Sequence, residues 1–346
     1  MIIESVAASF PNRRVDNDDV VELVRQYSSG FDGELEKMLR AVRTLLDRSG
    51  LVSRNWRAAG ERPIDHLSSA VADVLEGSGL QCKDIDLLVY VGIGGAFREP
   101  GNSYMVAKTL GMNHAQCFDI VDACMSWTRA LSVVDSLFKT GSFRNALVVN
   151  AEFNMIEGMA GFPENYAVQQ ADQLNYLLPS YTIGEAATAT LLLPAQPENF
   201  SIAFQSRPDL AHLCMIPTAG YEGFCDVNAA FAFLGEGRFT AHGTELHDSL
   251  AEEMPALIHA AGAYPQQADI VFTHSSSTPA WTGVGKRFGF AEKIFHIYPE
   301  TGNVVSASIP AAMALARKAG KLKKGDQVMC LMGSAGMSFA LGKFVF

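Results

Sequence analysis

The chain has 346 residues and a mass of 37.4 kDa, long enough for two medium domains or one large α/β unit, and 48% of it is apolar. That composition excludes a disordered segment, a collagen-like repeat and a small disulfide scaffold. The formal charge of −10, from 27 Lys+Arg against 37 Asp+Glu, provides no basic field for nucleic acid.

The opening MIIESVAASFPN has neither a basic leader nor a long apolar stretch, and no apolar run approaches the roughly 20 residues of a membrane span. A soluble, cytoplasmic protein is expected, with no membrane partner. Six cysteines, at 82, 117, 124, 214, 225 and 330, form no Cys-x-x-Cys pair, so no zinc ribbon or thioredoxin-type site is expected and the thiols read as reduced.

In chain order, Asp86-Leu-Leu-Val-Tyr-Val91 predicts a fully buried strand, as Ala146 to Asn150 does further on, and Cys117-Phe-Asp-Ile120 is strand-like. Ala130, Leu131, Val134, Leu137 and Phe138 follow a helical period over Trp127 to Phe138, and Gly141 supplies the stop. The stretch LLLPAQPENF has the composition of a linker near Pro194 to Glu198, so the expected halves are 1–195 and 196–346. Beyond it come a strand over Ile270 to Thr273, a helix from Asn303 to Gly320 and a strand over Gln327 to Leu331. Alternating helix and buried strand imply an α/β fold with covered sheets.

The two halves repeat. Gly79 precedes Asp86 by seven residues, as Gly262 precedes Asp269. Cys124 opens a predicted helix ending seventeen residues on at Gly141, as Asn303 opens one ending at Gly320. Two copies of one α/β unit would bring Cys124 and Asn303 together across a pseudo-twofold axis. His274, at the end of a strand, would lie at the same junction.

This arrangement has chemical content. A thiol at a helix N-terminus has its thiolate stabilised by the helix dipole and free amides, which makes Cys124 the candidate nucleophile. His274 follows a buried strand in Phe272-Thr-His-Ser-Ser-Ser277. Asn303 reads either as a helix N-cap or as a side-chain N–H donor to a thioester oxygen. The other five cysteines read as small core residues. His66, His114, His212, His259 and His296 read as structural, and His242 with His247 lacks the HExxH pattern of a metal site.

The segments Asp119-Ile-x-x-Ala123-Cys124, His274, Gly302-Asn303-x-x-x-Ala307-Ser-Ile-Pro310, Gly320-Lys-Leu-Lys-Lys-Gly325 and Gly333-Ser-Ala-Gly336 resemble the thiolase superfamily, in the branch of β-ketoacyl-ACP synthase III. The resemblance spans nearly the whole chain in order. It implies a five-layered αβαβα fold, a homodimer and a Cys-His-Asn triad at Cys124, His274 and Asn303. Cys124 would be acylated by a thioester. His274 and Asn303 would stabilise the oxyanion or enolate of a second substrate, and backbone N–H groups of Cys124, Ala335 and Gly336 would hold the tetrahedral oxyanion. The substrates implied are acyl-CoA or acyl carrier protein thioesters, with no further cofactor and no metal.

Departures from that branch narrow the expectation. Glu99-Pro100 stands where the fatty-acid-initiating enzymes have an apolar residue before the proline. It looks like the head-to-head condensing enzymes of olefin biosynthesis and the α-pyrone synthases, in which this glutamate enters the neighbouring subunit's site and removes an α-proton. Gly184-Glu-Ala-Ala-Thr188 replaces a glycine-rich segment, and Gln26 to Leu51 lacks the tryptophan-bearing stretch that grips coenzyme A. Lys286 and Arg287 match a basic pair offered to acyl carrier protein, and Met215 to Phe233 reads as acyl-tunnel lining or as core. The leading expectation is a ketosynthase forming a carbon-carbon bond by Claisen condensation of a Cys-bound acyl group with a second acyl or β-ketoacyl thioester, in lipid or secondary-metabolite synthesis such as polyketide formation. The alternatives are decarboxylative condensation with malonyl thioester, acyl transfer to an oxygen or nitrogen acceptor, and a structural subunit of a heterodimer.

Overall fold

The computed structural model describes residues 1–195, 200–227, 233–262 and 264–346; most of the expected Pro194 to Glu198 linker, and positions 228–232 of the Met215 to Phe233 stretch, lie outside the described residues. The first half runs β1 (Ile2–Ser9), α1 (Asn17–Tyr27), α2 (Leu35–Arg48), α3 (Pro63–Leu75), β2 (Leu87–Val91), α4 (Asn102–Leu110), β3 (Gln116–Ile120), α5 (Ser126–Lys139), β4 (Ala146–Glu152) and β5 (Ala186–Leu193). The second half runs β6 (Phe200–Ser206), α6 (Gly243–Ala260), β7 (Ile270–Thr273), α7 (Thr278–Phe288), α8 (Ser308–Lys318), β8 (Gln327–Ser334) and β9 (Ser338–Val345).

The first sheet has the order β1-β5-β4-β2-β3, with β4, β2 and β3 parallel and β5 reversed, pairing antiparallel with both β4 and β1. The second sheet, β7-β8-β9-β6, repeats this pattern: β7 and β8 are parallel, and β9 is reversed, pairing antiparallel with both β8 and β6. The counterpart of β3 is reduced to a single bridge between Val271 and Ile294.

Strand periodicity explains the layering. Leu87, Val89 and Val91 of β2, and Val328, Cys330 and Met332 of β8, point inward onto α5 and α8 in one apolar core between the sheets. Leu88 and Tyr90 point outward onto α3 and α4, and Met329 and Leu331 onto α6 and α7. The result is helices, sheet, helices, sheet, helices: the five-layered thiolase-like fold. α1 and α2 build a fourth cluster with Tyr166 and Tyr181 beside the first half.

β4 runs two residues beyond its expected end, to Glu152, and β8 three beyond, to Ser334. The helices differ at their starts. Neither Cys124 nor Asn303 opens a helix: α5 begins at Ser126 after a single 3₁₀ turn over Ala123–Met125, and α8 begins at Ser308 after a matching turn over Val305–Ala307. The turns align through positive φ at Ala123 (46°) and Val305 (50°), which are 182 residues apart, as are Ser126 and Ser308. The pseudo-twofold mate of Cys124 is therefore Ser306, and Asn303 lies three residues earlier. Long-range pairing holds Asn303 out of the helix: its amide donates to Thr182 O at 2.8 Å and its carbonyl accepts from the Gly184 amide at 2.9 Å. Gly184 is needed for that approach, because a Cβ there would run into the Thr301 carbonyl oxygen.

Candidate active site

The ends of β7 and β8, the Cys124 turn and Asn303 border a cavity of about 680 Å³, lined by Cys124, His274, Asn303, Ser334 and Ala335 with mostly apolar walls. A second cavity of about 290 Å³ shares Cys124, Asn303, Ala335, Phe239 and Cys214 with the first. The two spaces meet at Cys124. Its far walls include Ile93, Met215 and Ile216.

Cys124 is half-buried. Burial in apolar surroundings pushes its thiol well above the ordinary value, with the Cys214 thiol and the Glu152 carboxylate adding to the rise; its own backbone N–H and the Ser334 hydroxyl oppose it. Burial thus outweighs the helix-terminal stabilisation expected from the sequence, since Cys124 lies two residues ahead of α5. Ser334 also accepts the Met125 amide at 3.1 Å, clamping the nucleophile's turn to β8.

His274 is held by its amide to Leu331 O at 3.1 Å and by Nδ1 to Ser308 Oγ at 3.0 Å. Burial pushes its pKa down to about 4, so it rests neutral beside a neutral thiol. Asn303 Oδ1 accepts the Val305 amide at 2.9 Å, which leaves Nδ2 as the side-chain donor available to the cavity.

The other expected residues fall elsewhere. Gly336 is exposed beyond the lining. Glu99 is exposed between β2 and α4 and lines neither cavity of its own chain. Lys286 and Arg287 are exposed in the last turn of α7, whose first turn lines the main cavity. Cys214, expected as core, lines both cavities, its thiol pushed up to about 12 by burial, and His247 lines the larger one. Among the described residues no group of three or more His, Cys, Asp or Glu could hold a metal ion, and no helix is long and apolar enough to cross a membrane.

Glu152, which the sequence did not single out, fills the pseudo-symmetric position. Fully buried at the end of β4, it accepts from the amides of Ile93 (3.3 Å), Gly94 (2.9 Å) and Ser306 (3.3 Å), from Asn154 Nδ2 (3.3 Å) and from the Ser306 hydroxyl. Burial pushes its carboxyl above the ordinary glutamate value and those donors oppose the rise. Gly92 makes room: a Cβ there would meet the Glu152 carboxylate and the Ser306 hydroxyl.

Two family models match the chain. The model described as 3-oxoacyl-(acyl-carrier-protein) synthase III covers residues 118–155, including the Cys124 turn, and the C-terminal model of the same name covers 258–342, including His274, Asn303 and Ser334. The beta-ketoacyl-(acyl-carrier-protein) synthase III of Thermosynechococcus vestitus is 25% identical over 86% of this chain and 88% of its own length; that of Aquifex aeolicus is 24% identical over 92% and 95%. Among solved structures, Xanthomonas campestris OleA with bound lauric acid and lauroyl-CoA superposes with a TM-score of 0.81 at 19% identity, covering 99% of this chain and 98% of that one. The Aquifex aeolicus synthase III superposes with a TM-score of 0.77 at 20% identity, covering 99% of each. Fold, motif order and these relatives together support a β-ketoacyl-ACP synthase III-like condensing acyltransferase of the thiolase superfamily.

Proposed function

We propose that the enzyme joins an acyl group carried on Cys124 to a second acyl thioester by Claisen condensation, without loss of carbon dioxide. The observation that carries this reading is the meeting of two apolar cavities at Cys124, each also bounded by Asn303, which provides separate space for two acyl chains. The lauroyl-CoA bound in Xanthomonas campestris OleA, a structure of the same fold, supports acyl-CoA as the substrate class.

On this reading Cys124 displaces the carrier thiol and holds the first acyl group. The second thioester then loses an α-proton to a base, its enolate attacks the Cys124 thioester carbonyl, and collapse of the tetrahedral intermediate breaks the carbon-sulfur bond, releasing the β-ketoacyl thioester and the Cys124 thiolate, which takes up a proton. Asn303 Nδ2 and the backbone N–H groups of Cys124 and Ala335 bear the oxyanion charge. An unactivated α-carbon is weakly acidic and needs a positioned base. Glu99 is that base in this proposal, supplied by a second copy of the chain. The supporting geometry is the edge strand β3: its outer edge has no strand partner among the described residues, and Val121, just past its end, is 74% exposed while lining the second cavity. A homodimer formed there would set a partner's residues over that cavity. Lys286 and Arg287 provide the proposed docking charge for acyl carrier protein.

Intact-protein mass spectrometry after exposure to acyl-CoA thioesters, followed by peptide mapping, tests the loading step. Cys124 and Cys214 line both cavities, but Cys124 has N–H and O–H donors to stabilise its thiolate, whereas burial alone governs Cys214. Acylation is expected at Cys124; acylation retained in Cys124→Ala would overturn the assignment. The retained His274 and Asn303 also suit decarboxylative condensation with malonyl thioester, which carbon dioxide release distinguishes.

A further inference from the structure

The same serine stands at the start of the central helix in each half, and in each half its proton is accounted for. Ser126 Oγ lies 2.7 Å from Ala123 O and Ser308 Oγ lies 2.6 Å from Val305 O. A carbonyl carries no hydrogen, so the single hydroxyl hydrogen must occupy each of these short contacts. Every other contact to either oxygen is then one in which the serine accepts. The first half demonstrates the pattern, because the remaining partner of Ser126 is the Asp122 amide at 2.8 Å, which can only donate.

In the second half the remaining partners of Ser308 Oγ are the Ser275 hydroxyl at 2.8 Å and His274 Nδ1 at 3.0 Å. Ser275 Oγ itself accepts the Val304 amide at 3.3 Å, leaving its hydrogen free to point at Ser308. With its proton on Val305 O, Ser308 receives one hydrogen from Ser275 and one from Nδ1, which uses both lone pairs. A neutral imidazole has one N–H, and here it is on Nδ1. Among the described residues Nε2 makes no hydrogen bond, and the ring lines the cavity that contains Cys124.

We infer that Ser308 is a positioning residue that fixes His274 as the Nδ1–H tautomer, so that Nε2 presents a lone pair to the Cys124 thiol. This rests on the proposed acylation of Cys124. As the Cys124 sulfur bonds to the thioester carbonyl carbon, its proton passes to Nε2 and the carbonyl oxygen takes the negative charge. When the tetrahedral intermediate collapses, the bond to the carrier sulfur breaks and Nε2–H returns that proton to the departing thiolate. His274 ends neutral, with Nε2 bare again, and no other reactant is consumed.

The test uses the full-length enzyme with isotopically labelled histidine, the His274 resonances being assigned by their absence in His274→Asn. The wild type is expected to show a protonated Nδ1 and an unprotonated Nε2; a protonated Nε2 in the resting enzyme would overturn the inference. Ser308→Ala should populate the other tautomer and slow acylation of Cys124 by lauroyl-CoA about 10- to 100-fold, because a wrong tautomer removes the proton acceptor while leaving the cavity intact. Ser308→Thr keeps the hydroxyl and should restore both the tautomer and most of the rate. Wild-type tautomer and rate in Ser308→Ala would contradict the inference. Should wild-type Cys124 resist all acyl-CoA thioesters, the proposed function fails, while the tautomer of the resting enzyme still decides the role of Ser308.

Discussion

Ser306 stands to Glu152 as Cys124 stands to Ser334. In each pair the 3₁₀ turn of one half is fastened to the last residue of a strand of the other: Ser334 Oγ accepts the Met125 amide next to Cys124 at 3.1 Å, and the Ser306 hydroxyl donates to the Glu152 carboxylate. The Cys124 position opens into both cavities, and neither cavity is lined by Ser306 or Glu152. The sealed position ties the turn between Asn303 and Ser308 to the first half.

Glu152→Gln tests that tie. All five groups facing the carboxylate are donors, so a glutamine must turn its own N–H₂ toward one of them, leaving buried groups unpaired at a cost of about 1–3 kcal/mol each. Urea unfolding should register a loss in that range. Because the carboxylate raises the Cys124 thiol, alkylation of Cys124 by iodoacetamide should also shift to lower pH. Unchanged stability would remove Glu152 from the account of the junction.

His274 and Asn303 should separate kinetically. Asn303 offers a donor but no proton acceptor, so Asn303→Ala should still accumulate acyl enzyme while condensation falls by about 100-fold or more. His274→Ala should lose loading as well, since the neutral thiol then lacks a proton acceptor. Single-turnover measurement of acyl-enzyme formation distinguishes the two; equal loading in both variants would contradict the division of labour.

The depressed pKa of His274 has a stability signature. The unfolded chain takes up a proton near pH 6.5 and the folded chain only near pH 4, so between those values the unfolded state binds more protons and folding stability falls as pH falls. The contribution of this histidine between pH 7 and pH 4.5 is about 2 kcal/mol. Urea titrations at the two pH values should therefore show a smaller acid loss in His274→Asn than in wild type. An identical loss would mean that His274 protonates normally in the folded protein.

Glu99 is proposed to act in the partner's site, and subunit exchange examines this directly. Glu99→Ala should load Cys124 normally but fail to condense non-malonyl substrates. Mixing inactive Glu99→Ala with inactive Cys124→Ala should recover roughly a quarter of wild-type activity, because half the dimers are mixed and each holds one intact site. No recovery despite demonstrated exchange would exclude action in trans.

Features set by local runs of residues were legible in the sequence. Leu87 to Val91, Ile270 to Thr273 and the helix stop at Gly141 follow from apolar runs and a glycine with positive φ. The repeat was legible too, but its register was not. Matching Asn303 with Cys124 relied on equal spacing to a terminal glycine, whereas the backbone bridge between Ile183 and Asn303, 120 residues apart, draws Asn303 out of the helix. Glu152 escaped, and Ser334 was read as part of a turn, because both are polar residues beyond the apolar run, placed in strands by pairing across the sheet. Ser308 looked like any residue of an Ala-Ser-Ile-Pro stretch until its contact with His274 appeared. The protonation of Cys124 depends on burial, which spacing does not encode.

The central claim is that the Cys124-bound acyl group becomes the electrophile in a carbon-carbon bond with a second, unactivated acyl thioester. Wild-type enzyme loaded with a carbonyl-labelled lauroyl group, cleared of free thioester and mixed with unlabelled decanoyl-CoA, should release one β-keto product containing both chains, with the label at the ketone carbon and no carbon dioxide. Recovery of the label only as free lauric acid or as an ester or amide, or product formation confined to malonyl-CoA with equal release of carbon dioxide, would contradict it.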